Sequence, residues 1–130
     1  MIALDTNVLL RALQHDDDGA QSARARQAIR ANAPVFINEI VLVEFAWTCK
    51  SAFKLDRAAI CRLFEAMLEA PEFIFAQPRA VERAVKGFGA RKSDFADRLL
   101  AESNREQGCT TTLTFDEAAA KSDGFVLAAG

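Results

Sequence analysis

The sequence has one histidine, three cysteines and no uninterrupted apolar run longer than residues 125–129. Each shortage excludes a class of function. With His15 alone, a histidine-based zinc site and Ser-His or Cys-His nucleophilic chemistry lack their parts. His15 stands at a polar helix end and is expected to be solvated. Cys49, Cys61 and Cys109 show no CxxC spacing and cannot all pair. They are expected to be packing residues with reduced thiols, which points to a cytoplasmic setting. Spanning a bilayer takes ~18 consecutive apolar residues, so no membrane segment is expected. The first residues meet an acid, Asp5, early and carry no basic start, so no signal peptide is expected. Neither GxxxxGKS/T nor GxGxxG occurs, and Gly87-Phe88-Gly89 lacks the rest of a phosphate-binding fingerprint. There is no low-complexity linker and no internal repeat.

What remains is 130 residues, 51% hydrophobic and 26% charged, which suits one globular domain over residues 1–130 with a core of moderate size. Sixteen Lys and Arg face eighteen Asp and Glu, a net charge of -2, which alone argues against a simple basic nucleic-acid binder. The distribution is uneven. Residues 79–105 carry Arg79, Arg83, Lys86, Arg91, Lys92, Arg98 and Arg105, whereas residues 5–18 hold several acids and only Arg11. A basic region beside an acidic one is expected. Arg79, Arg83, Lys86, Arg91 and Lys92 are its candidate phosphate contacts.

Short β-like runs alternate with helical ones. Met1-Ile2-Ala3-Leu4 has no polar alternation and reads as a buried strand. Helices are expected over residues 7–14 and 20–31, separated by the Asp16-Asp17-Asp18-Gly19 turn. Residues 34–37 form a second strand, and Asn38 caps a helix to about residue 52. Asp56 caps the next, with Ile60, Leu63, Phe64, Met67 and Leu68 at helical spacing. Residues 72–76 are a third strand, and Pro78 opens a helix to about Lys86 that Gly87 and Gly89 should break. Ser93 or Asp94 caps a helix ending near Gln107. Residues 111–115 are a fourth strand, Asp116 caps a short helix, and residues 125–128 are the last strand. Strands separated by helices imply crossovers and a mostly parallel central sheet, an α/β three-layer sandwich. Ligands in such folds bind beyond the C-terminal strand ends.

Acids stand where that rule directs attention. Asp5 ends the first strand and is followed by Thr6 and Asn7; it can also serve as an N-cap. Glu44 has Ile40, Val41, Trp47 and Thr48 as helical neighbours and so shares a face with apolar residues. A buried carboxylate there would need a partner or a metal; the alternative is an exposed rim position salt-bridged to a base. Asp94 and Asp97 share a face near a helix start, where acids also answer the helix dipole. Asp97 is followed one turn on by Leu100 and Ala101 and leans inward. Asp116 ends the fourth strand. Clustered carboxylates repel one another in a partly buried site and are most easily kept ionised by a divalent cation. Oxygen-only ligands select Mg²⁺ or Mn²⁺, which activate water and clamp phosphate oxygens. Metal-assisted phosphodiester hydrolysis is the reaction class this suggests.

Asp5-Thr6-Asn7-Val8-Leu9-Leu10, Glu44 in Val43-Glu44-Phe45, Asp97-Arg98-Leu99-Leu100-Ala101 and Thr114-Phe115-Asp116 come in the order and spacing of a PIN domain. The chain resembles a VapC-type toxin of a type II toxin–antitoxin pair over essentially its whole length. The resemblance implies a ribonuclease using Mg²⁺ or Mn²⁺, an RNA substrate, a VapB-like antitoxin partner and homodimers. It carries catalytic roles onto Asp5, Glu44, Asp97 and Asp116, with Asp5, Asp97, Asp116 and Asp94 as metal ligands. Thr6, Asn7 and Thr114 match supporting polar positions. Asp94 is extra relative to the simplest pattern, so either Asp94 or Asp97 can be the closer ligand.

Phe45, Trp47 and Phe64 are expected to be core or dimer contacts rather than base-stacking platforms. Val8, Leu9, Ala12 and Leu13, with the Trp47-bearing helix, offer a groove for an amphipathic helix of the antitoxin. Three rivals share parts of the pattern. A haloacid-dehalogenase-like phosphatase wants Asp-x-Asp where Asn7 stands, and a receiver wants a late-strand lysine that residues 125–130 do not provide. A catalytically inert binding module would not need the full acid set.

Overall fold

A computed structural model of the chain describes residues 1–13, 19–90 and 93–128. His15, the Asp16-Asp17-Asp18 turn, Arg91 and Lys92 lie outside the described residues. The chain divides into two compact units, Met1–Ala76 and Gln77–Gly130.

In the first unit, β1 (Ile2–Ala3), β2 (Val35–Ile37) and β3 (Phe73–Phe75) pair in that order, all parallel, with Val35 opposite both Ile2 and Phe73. Parallel neighbours require crossovers. Helices α1 (Thr6–Leu13) and α2 (Gly19–Asn32) stand between β1 and β2 in the chain. Helices α3 (Glu39–Ser51) and α4 (Arg57–Glu69) stand between β2 and β3. The expected caps form: Asn38 accepts from the Ile40 N–H at 2.8 Å and Asp56 from the Ala59 N–H at 2.8 Å, each satisfying an orphan donor of a first turn. Val35, Ile37, Leu42, Phe45, Phe64 and Met67 are fully or almost fully buried. Each contributes roughly 2 kcal/mol of apolar transfer free energy. Phe45 and Phe64 meet at 5.6 Å between ring centroids. Trp47, expected in the core or at a dimer contact, is 66% exposed.

The first strand departs from expectation. Met1, Ile2 and Ala3 are exposed, and only Leu4 of the apolar run is buried. β1 is an edge of its sheet and only two residues long, so absence of polar alternation did not signal burial on both faces.

The second unit holds α5 (Pro78–Ala90), α6 (Phe95–Glu106), β4 (Thr112–Thr114), α7 (Glu117–Ala120) and β5 (Phe125–Leu127). β4 and β5 pair in parallel, with Leu113 opposite Val126. Gly87 and Gly89 do not end α5, which runs through both. The intrinsic cost of about 1 kcal/mol per helical glycine is offset by packing. Ala80, Val81, Ala84, Val85 and Phe88 form a buried stripe at helical spacing, and Phe88 meets Phe95 of α6 edge-on at 5.8 Å. At Gly87 a Cβ would stand 3.2 Å from the Arg98 Cδ, so the glycine makes room for the arginine. Gly124 is needed twice over: its φ is +93°, and a Cβ there would sit 2.9 Å from the Ala101 Cβ.

Candidate active site

In the first unit Asp5 follows Leu4 beyond the end of β1, where β2 still holds the chain through the Leu4 N–H on the Phe36 carbonyl at 3.2 Å. Asp5 Oδ1 accepts from the Val8 N–H at 3.0 Å. The capping role is therefore real, but it engages one oxygen and fixes the direction of the other. The next residue, Thr6, donates from Oγ1 to Glu44 Oε1 at 2.6 Å, a short charge-assisted bond that ties the start of α1 to the middle of α3. Glu44 does share its face with Ile40 and Trp47, yet that face is open, with Ile40 69% and Trp47 66% exposed. Glu44 is exposed, and among the described residues it forms no salt bridge to a base. Its held partner is the Thr6 hydroxyl. Asn7 is exposed beside them.

The second unit gathers three of the predicted acids. Asp94 occupies the N-cap position of α6 but its side chain makes no capping hydrogen bond. Asp97, one turn in, is half-buried. Asp116 caps α7 through Oδ1, which accepts from the Ala118 N–H at 2.9 Å and the Ala119 N–H at 3.3 Å. Thr114 holds that turn, its Oγ1 accepting from the Asp116 N–H at 3.0 Å. Asp94, Asp97 and Asp116 line one cleft of about 420 Å³, together with Asp123, Arg98 and Lys121.

The electrostatics of the cleft follow from its lining. Burial pushes the Asp97 carboxyl above its usual range and the Asp94 charge adds to this; Arg98 pulls it down and Asp116 pushes it further up. A carboxylate that Arg98 compensates only in part gains from a further cation. Oxygen donors alone suit a hard divalent ion in kind and in charge. Among the described residues no three acids already converge to ligating distance. The carboxylates surround the space rather than clasp a point in it.

Several residues of the cleft escaped the sequence reading. Arg98, counted there with the basic region, is 4% exposed. It donates to the Ser122 Oγ at 3.2 Å and the Asp123 carbonyl at 2.6 Å, and its guanidinium lies 5.8 Å from the Phe125 ring centroid. Its partners are about 25 residues away, so no local pattern signals them. Glu102 is buried and held from two sides, by Arg83 at 2.8 Å and Arg105 at 3.0 Å. Arg83 also reaches Glu106 at 3.3 Å. Of the candidate phosphate contacts, Arg83 is thus engaged by two carboxylates. Arg79 and Lys86 are exposed and line the same shallow cleft as Arg83. The expected antitoxin groove loses two of its anchors, because Leu9 and Ala12 are buried at 0% and 6% exposure. Of the cysteines, Cys49 is buried, Cys61 half-buried and Cys109 exposed, so Cys109 is not a packing residue.

No helix among the described residues is long and apolar enough to cross a membrane. Comparison with curated proteins finds no match. The PIN domain family model matches residues 2–124, which removes the receiver and phosphatase alternatives and agrees with the mixed α/β architecture and its parallel strands. The chain belongs to the PIN-domain family.

Proposed function

We propose that the chain is a metal-dependent endoribonuclease of the VapC toxin type, working as one nuclease domain over residues 1–130. PIN domains are generally metal-dependent nucleases. The observation that carries the reading is the cleft of the second unit, where Asp94, Asp97 and Asp116 line one space and Asp97 is pushed up by burial and by its acidic neighbours. Asp97, Asp116 and Asp94 would hold Mg²⁺ or Mn²⁺, with Asp97 favoured over Asp94 as the closer ligand. The ion would supply an activated water and neutralise phosphate oxygens. Asp5 and Glu44 are assigned catalytic roles on the family motif, Asp5 as a metal ligand as well.

The supporting residues have defined tasks. Thr6 fixes the Glu44 carboxylate by donating to it, and Thr114 fixes the turn that presents Asp116. Asn7 is assigned a supporting polar role on the motif. Arg98 supplies a buried positive charge that counters the acids from one side. Arg79 and Lys86 are offered as phosphate contacts. RNA is the substrate, a VapB-like antitoxin the inhibitory partner, the homodimer the basic assembly and the cytoplasm the location. The test is incubation of the purified chain with single-stranded RNA in Mn²⁺ and in chelator, followed by sequencing of the RNA ends. Cleavage confined to the Mn²⁺ sample supports the reading. RNA left whole in both would make the protein an inert PIN-like binding module.

A further inference from the structure

We infer that the groove between α1 and α2 is a second nucleic-acid contact, a track for the phosphate backbone of single-stranded RNA. The groove measures about 340 Å³ and is lined by Asn7, Val8 and Arg11 from α1, and by Gln21, Arg24, Ala25 and Ala28 from α2. The spacing explains the lining. Asn7 and Arg11 are four apart, and Gln21, Arg24 and Ala28 are three and four apart, so each set shares one helix face.

The chemistry selects the occupant. Among the described residues neither Arg11 nor Arg24 has a carboxylate partner within salt-bridge distance. Arg83 and Arg105, by contrast, are each held by carboxylates. Two guanidiniums without a carboxylate partner among the described residues, with two amide side chains, Asn7 and Gln21, form a donor-rich wall that matches phosphate oxygens and sugar hydroxyls. The floor of Val8, Ala25 and Ala28 is apolar but small-chained. The lining includes no large apolar side chain to grip the aromatic or long aliphatic anchor on which a protein partner would depend. A polyanion fits this groove better than a peptide does. The groove also begins at the Asp-Thr-Asn motif: Asn7 lines it, and the N–H of Val8, another lining residue, is held by Asp5. Residues 5–18 read in sequence as acidic with only Arg11, so this basic groove was invisible until α2 placed Arg24 across from it.

This inference rests on RNA being the substrate, and the experiment separates the two claims. Cleavage kinetics and the salt dependence of RNA affinity are measured for the wild type, Arg11→Gln/Arg24→Gln, the charge-keeping Arg11→Lys/Arg24→Lys, and Arg62→Gln as an exposed control on α4. Each lost phosphate contact lowers the slope of log affinity against log salt by roughly 0.7 for a single strand. The Gln pair should therefore lose about 1.4 of slope, with KM raised about fivefold per arginine and kcat within twofold. The Lys pair should keep the wild-type slope, and Arg62→Gln should change nothing. A Gln pair that binds and cuts RNA with the wild-type KM and slope removes the groove from the RNA path and leaves the nuclease reading standing. A Gln pair with wild-type slope that fails to retain a co-expressed protein would assign the groove to that protein and overturn the proposal. Wild type that neither binds nor cuts RNA in Mn²⁺ would take down both claims.

Discussion

Arg98 and Gly87 form a coupled pair whose energetics can be worked from the contacts. Arg98→Met keeps an unbranched stem beside Gly87 and removes the guanidinium. Two charge-assisted hydrogen bonds, to the Ser122 Oγ and the Asp123 carbonyl, are lost, each worth about 1.5–3 kcal/mol. The contact with the Phe125 ring goes too, about 1 kcal/mol. Against this, a buried charge is no longer desolvated, and the buried Nε, without a hydrogen-bond partner among the described residues, is gone. The net expectation is a loss of about 2–3 kcal/mol, or roughly 6–12 °C in Tm. Gly87→Ala supplies the second arm. Its Cβ would meet the pinned Arg98 Cδ at 3.2 Å, so in the wild type the usual helical gain of about 1 kcal/mol should vanish or reverse. With Arg98→Ala the obstacle is absent and the gain should return. Urea unfolding of the four proteins in this cycle should give a coupling of about 1–2 kcal/mol. Additivity within about 0.3 kcal/mol, or an Arg98→Met variant as stable as wild type, would refute the argument that Gly87 exists to seat Arg98.

Three further outcomes follow from the same contacts. Asp97→Asn removes the charge that burial and Asp94 disfavour, so the metal-free variant should be more stable than wild type by about 0.5–1 kcal/mol after allowance for partial exposure; calorimetry without metal checks this, and an unchanged or lowered Tm contradicts it. Thr6→Val should cost about 0.5–1.5 kcal/mol by removing the 2.6 Å bond to Glu44, and Thr6→Ser should restore it in the same unfolding assay. Burial pushes the Cys49 thiol from 9.0 up to about 11. At pH 8 a thiol reagent should label exposed Cys109 rapidly and Cys49 only on unfolding. Because this folded-state pKa is raised, the neutral thiol's contribution to stability is complete below pH 9 and lost as pH climbs towards 11.

The local signals in the sequence carried well. Asn38, Asp56 and Asp116 cap as expected because an N-cap is decided within three residues. Asp94, Asp97 and Asp116 share a cleft because cap and first-turn positions direct side chains towards helix N-termini. What failed was non-local. Gly87 and Gly89 looked like breaks, yet the approach of Arg98 to α5 makes a glycine useful inside the helix. Met1-Ile2-Ala3-Leu4 looked buried, but burial depends on neighbours that a strand's own composition does not name. Arg83, Arg98 and Arg105 looked like a basic surface until their partners, Glu102, Glu106, Ser122 and Asp123, came into reach through the packing of α5, α6 and the turn before β5.

On the proposed function the acids of this chain work through a divalent cation on RNA. This is tested most directly by the Mn²⁺-dependent cleavage rate of a defined RNA with wild type and Asp97→Asn, each first shown to be folded by circular dichroism. Wild type should cleave the RNA, chelator should abolish that cleavage, and Asp97→Asn should cut at least about 100-fold more slowly at every Mn²⁺ concentration. Cleavage at the wild-type rate by Asp97→Asn, or by wild type in chelator, would contradict the proposed function.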